Sequence, residues 1–151
     1  MIKKIHEGDI MKFKRIINSI AVISTAAAGL LVAAPNASAA ASYNGACGSG
    51  YSVVNSARIG SYGTIFLTYS SSTGYNCAVT IRDTPDSTSP EVITVYLARS
   101  GGAGWKGDAG NYSSYAGPVY VSGVDACMDW TGGIVVNGVS HSASKNGTNC
   151  G

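Results

Sequence analysis

The chain has 151 residues, 12% of them charged, with ten lysines and arginines against eight acidic residues. Within residues 40–151 five basic side chains stand against six acidic ones, and this scattered balance excludes the basic stripe that nucleic acid or anionic lipid requires. A surface so poor in charge has to be built from Ser, Thr, Asn, Gly and Tyr.

Residues 1–10, "MIKKIHEGDI", fit poorly in front of the export signal that begins at Met11. Glu7-Gly8-Asp9 can be encoded by a ribosome-binding string just ahead of Met11, so residues 1–10 read as translated leader and Met11 as the start. From there Lys12, Lys14 and Arg15 form a positive n-region, residues 16–34 an apolar run, and Pro35 a break. Ala37-Ser38-Ala39 then places small residues where a signal peptidase reads. A membrane anchor is the alternative, since a span takes about 20 apolar residues. The run is rich in Ala, Ser and Thr, however, and ends in a cleavage pattern without a basic stop-transfer cluster. The reading is a signal peptide over 11–39, cut after Ala39 with Ala41 as second choice, and a single secreted domain over 40–151.

All four cysteines, Cys47, Cys77, Cys127 and Cys150, lie in that domain, and an even number in a small exported chain reads as two disulfides. A metal site is disfavoured, because there is no Cys-x-x-Cys pair and His141 is the only imidazole after residue 40. Four cysteines allow three pairings, of which Cys47–Cys77 with Cys127–Cys150 is preferred because it ties one bridge to each end. Each bridge closes a short loop and contributes about 3–4 kcal/mol, a large share of the roughly 5–15 kcal/mol expected of such a domain.

Along the chain, short β-rich runs alternate with Gly, Ser, Asn and Pro clusters, and no amphipathic helix is present. "YSVVNSARI" from Tyr51 predicts a first strand. "TIFLTY" places Ile65, Leu67 and Tyr69 on one face, and "NCAVTIR" returns after a turn at Gly74 with Cys77, Val79 and Ile81 inward. "DTPDSTSP" is a loop, since Pro85 and Pro90 lack donors. "EVITVYLAR" is a strand with Ile93, Val95 and Leu97 facing the core. "SGGAGWKGDAGN" reads as a flexible loop, "SYAGPVYVSG" as a strand around Val119 and Val121, and "DACMDW" with "GIVVNGVSH" as a closing hairpin turning at Thr131-Gly132-Gly133. The fold class is therefore all-β, a small antiparallel sandwich or barrel of six to seven strands.

Four motifs, "CGSGYSVVNS", "GTIFLTYSSSTGYNCAVTIR", "YSSYAGPVYVSGVDACMDWTGGI" and the terminal "TNCG", resemble the spore-associated protein A family of filamentous actinobacteria. The resemblance spans nearly all of 40–151 and is weakest over 83–105. It implies a small extracellular all-β protein found with the spore surface, and it carries no catalytic residues.

The candidate sites are few. His141 lacks a Gly-x-Ser-x-Gly elbow to serve with Asp108, Asp125 or Asp129, and reads as a surface residue. Asp125 and Asp129 sit about 13 Å apart on an extended strand, outside the roughly 5–9.5 Å of a glycosidase pair. "GDAGN" offers too few oxygens for Ca²⁺, "GGAGWKGD" lacks phosphate-loop spacing, and the sequons at Asn111 and Asn146 are chance matches. No catalytic residue, metal or cofactor is expected. The aromatics carry more: Trp130 is the expected core ring, while Trp105, Tyr112 and Tyr115 are expected to form a binding surface on one loop. The functional expectation is a non-enzymatic, disulfide-stabilised protein of the cell or spore surface. Its alternative is a secreted binding module or inhibitor contacting glycan or protein through the Trp105–Tyr115 loop. Cell-wall or spore-coat components and self-association are the expected contacts, with no nucleic acid and no membrane after cleavage.

Overall fold

The computed structural model describes residues 39–151, and every regular element in them is a β-strand. The strands are β1 Ser52–Ile59, β2 Gly63–Ser70, β3 Tyr75–Arg82, β4 Glu91–Arg99, β5 Lys106–Tyr112, β6 Tyr115–Ser122, β7 Met128–Val136 and β8 Val139–Thr148. They form two four-stranded sheets, the first ordered β1-β2-β3-β6 and the second β5-β4-β7-β8. All strand pairs are antiparallel. The sheets stack with β5 beside β6 along one side and β1 beside β8 along the other. The expected all-β sandwich with two disulfides is present, with eight strands where six to seven were expected. The leader and signal peptide assigned to 1–10 and 11–39 fall outside the described residues, apart from Ala39.

The additional strand is β5, which the sequence disguises as a glycine-rich loop. It forms because its backbone pairs residue for residue with β4, from Leu97↔Lys106 to Glu91↔Tyr112. Ladder hydrogen bonds and neighbours override weak intrinsic preference in such a segment. The closing hairpin also differs from expectation. β7 runs straight through Thr131-Gly132-Gly133, and the chain turns at Asn137-Gly138, both at positive φ (51° and 77°) as a two-residue hairpin turn requires. Gly132 faces the first sheet, where a Cβ would come within 2.9 Å of Ile65 Cβ and would overlap Thr80 Oγ1. This glycine lets two sheets approach; it does not bend a strand.

The main core lies between the sheets. Ile65, Leu67 and Ala78 from the first meet Ile93, Val95, Leu97, Met128, Trp130 and Ile134 from the second. Trp130 is wholly buried, and its Nε1 donates to Thr148 Oγ1 at 2.8 Å. Asn149 Nδ2 donates to Asn76 Oδ1 at 2.6 Å, so the C-terminal "TNCG" fastens the second sheet to the first.

The orientation of β3 is a correction. Pairing sets Ala78 beside Leu67 and Val79 beside Phe66, so Ala78 faces the main core while Val79 and Ile81 face away from it. With Phe66 they form a second, outer core, covered by Ala41, Tyr43 and Ala46. Alternation in "NCAVTIR" is ambiguous because both faces of this strand are buried. A strap of N-terminal residues makes that possible. It is held by the Cys47–Cys77 disulfide, by Ala41 N donating to Asp83 Oδ1 at 2.8 Å, and by Tyr120 Oη donating to the Cys47 carbonyl at 3.0 Å. The second bridge, Cys127–Cys150, joins the residue before β7 to one after β8 and clamps the open end of that hairpin.

Candidate binding face

Among the described residues, no strap covers the outer face of the second sheet. Alternation on β4 sends Ile93, Val95 and Leu97 inward and therefore Val92, Thr94 and Tyr96 outward. Register extends each outward residue into a row across the sheet. One row is Ala109–Thr94–Gly133–Ser142 and the next is Gly107–Tyr96–Thr131–Ser144, flanked by Asn111 beside Val92 and Ser140 beside Val135. These positions carry no charge. The first charged group met along the face is Asp129, paired with Ala98 beyond the second row. Its Oδ1 accepts from Ser100 Oγ and, at 2.8 Å, from Gly147 N. Those donors, Ser100 foremost, hold its carboxyl below the usual carboxylate range.

Tyr96 dominates the face. Its ring lies over Gly107, where a Cβ would overlap ring atoms Cδ1 and Cε1. The ring is thus laid down along the sheet, and the residue remains 37% exposed. Tyr96 is missed by sequence reasoning, although its position between inward Val95 and Leu97 is the signal that turns it outward.

The three rings expected on one loop are separated. Trp105, 49% exposed, immediately precedes β5, two positions before the Gly107 that pairs with Tyr96. Tyr112 ends β5, about 24 Å away at about 3.4 Å per residue. Its ring packs against the main core and its hydroxyl donates to Asp108 Oδ1 at 2.6 Å, a bond that raises the phenol's pKa. Tyr115 pairs with Ile81 on the outer face of the other sheet. The segment expected to bind as a loop is a strand, and of its three rings only Trp105 lies at the Tyr96 end of it.

The remaining polar groups are committed to structure. His141 lies against Tyr62, ring centroids 4.3 Å apart. Asp108 also accepts from Gly117 N at 2.7 Å, and Asp129 is engaged as above, so neither carboxylate is turned to His141. A cavity of about 90 Å³ lies between Tyr62, Arg82, Glu91 and Ile134. It has room for about three waters. Arg82 and Glu91 pair across it at 3.4 Å, and Arg58 pairs with Asp83 at its rim. Among the described residues no three of His, Cys, Asp and Glu are grouped as metal ligands.

Spore-associated protein A of Streptomyces coelicolor is 49% identical to this chain over 138 residues, covering 88% of the chain and 86% of the relative. The chain belongs to the spore-associated protein A family. The four motifs that carry the resemblance include the Cys47–Cys77 bridge, the Asn76–Asn149 bond and buried Trp130. No family model matches the chain, and no solved structure matches it.

Proposed function

We propose that this protein is exported and acts without turnover, as a disulfide-stapled sandwich held at the cell or spore surface by contact. The observation that carries the reading is its family: a relative covered over 86% of its length bears the name spore-associated protein A. Two disulfides in so small a domain suit an oxidising compartment. The carboxylates nearest in kind to a catalytic role are spent on Tyr112, Gly117, Ser100 and Gly147, which suits a scaffold better than a reaction centre. A signal peptide cut after Ala39 leaves the Ala41–Asp83 bond in place, whereas a cut after Ala41 removes it.

Fractionation of sporulating and vegetative cells of the producing organism, with immunoblotting of each fraction, tests the reading. Protein in washed spore or wall fractions, with the mass of a chain beginning at Ala40, is the expected result. Protein found only free in the medium, or as uncut precursor in the cytosol, overturns it.

A further inference from the structure

Resting on that surface reading, we propose that the bare outer face of the second sheet, with Tyr96 and Trp105 as its stacking rings, binds a neutral polysaccharide. Three features of the face select this ligand class. First, the Tyr96 ring lies along the sheet over Gly107 with residue exposure of 37%, and Trp105, two positions back from that glycine along the chain, is 49% exposed. The electron-rich face of an aromatic ring attracts partially positive hydrogens, which a sugar ring presents along its C–H face. Residues two apart on a strand lie about 7 Å apart, so the rings can meet neighbouring parts of one chain. Second, Thr94, Ser142 and Ser144 lie in the same rows, joined by Thr131, whose hydroxyl donates to the Ala143 carbonyl at 3.2 Å and is left to accept. Hydroxyls donate and accept alike, which matches a ligand made of hydroxyls. Third, the rows themselves hold no charged side chain, which suits an uncharged polymer; the exposed Lys106 and Lys145 stand beside Gly107 and Ser144 on the two edge strands, outside the rows.

A second copy of the chain fits less well. The two rows with the flanking Val92 and Val135 positions span about 14 Å by 14 Å. That is roughly a quarter of the ~800 Å² per partner of an ordinary protein interface. Gly107, Ala109, Gly133 and the serines also supply little of the apolar centre such interfaces contain.

The test is depletion of the oxidised protein by colloidal chitin and by microcrystalline cellulose, read as binding isotherms. Wild type binds at least one of them, and Tyr96→Ala and Trp105→Ala each weaken binding about tenfold or more. Tyr96→Phe, which keeps the ring, stays within about twofold. Ser142→Arg, which sets a charged side chain on an exposed position, weakens binding and serves should Tyr96→Ala fail to fold. Because no ion pair is involved, affinity holds between about 50 and 500 mM NaCl. Failure of wild type to bind either polymer, full binding by Trp105→Ala and Ser142→Arg, or loss of binding with salt each overturns the proposal. So does a shift of a monomer–dimer equilibrium by these variants without a change in retention, which assigns the face to a second copy. A protein recovered from spores that binds neither polymer overturns this inference and leaves the surface reading standing. Retention on chitin by a protein missing from cell and spore fractions does the reverse.

Discussion

The two sheets differ most in what they turn away from each other. The first carries Phe66, Val79 and Ile81 on its outer side and needs the N-terminal strap to cover them. The second carries threonines, serines and glycines there, with Tyr96 laid among them, and is left bare. A sheet with two apolar faces demands two covers, and a small domain meets the second demand with a few residues and a covalent bond. The bare sheet needs no cover, so its outer face is free for contact. The first sheet therefore depends on its strap, and the contact face proposed above lies on the other.

The contrast predicts unequal responses to substitution. Replacing both Cys47 and Cys77 by alanine frees the strap and exposes the outer core. The expected loss is about 3–4 kcal/mol in urea unfolding, together with binding of a hydrophobic dye by the residual folded state. The Cys127–Cys150 bridge differs, since Cys150 is exposed while Cys47 and Cys77 are buried. Limited reduction with alkylation and mass measurement therefore labels Cys127 and Cys150 first.

Next in size is a pair of glycine substitutions at neighbouring positions. Gly132→Ala drives a methyl into Ile65 between the sheets and costs about 1–3 kcal/mol. Gly133→Ala meets Thr94 Oγ1, a rotatable hydroxyl on the bare face, at 2.9 Å, and costs under about 1 kcal/mol. Equal losses in thermal melts would mean the two faces are packed alike.

The strap also has an acid-sensitive anchor. The Arg58 guanidinium, and after it the Ala41 amide, hold the Asp83 carboxyl below its ordinary value. The stability this contributes is complete above the unfolded value of about 4 and is lost as pH falls through the lower folded value. Asp83→Asn should cost about 1 kcal/mol at neutral pH, with the gap to wild type closing in acid. A gap that persists in acid would assign the loss to packing instead. Smallest of all is Ser142→Arg at an exposed position, expected to change the unfolding free energy in urea by no more than about 0.5 kcal/mol.

Much of the architecture can be read along the chain. The β class comes from short runs punctuated by turn residues, and the inward face of β4 from Ile93, Val95 and Leu97 alternating with polar or exposed neighbours. The aromatic surface is not legible in the same way, because Trp105, Tyr112 and Tyr115 are close in sequence and a glycine-rich run looks like a loop. Pairing with β4 extends that run and carries its two ends apart.

What the amino-acid order determined alone was composition, strand periodicity, turn chemistry such as that at Gly74, and an even set of cysteines, all properties of neighbours along the chain. Tertiary structure decided which face of β3 meets the core, where the closing hairpin turns, why Gly132 sits inside a strand, and that the Tyr96 ring lies over Gly107. These depend on what lies across the sheet or above it. A period of two tells which residues share a side, but only the partner strand and the strap tell which side is inside.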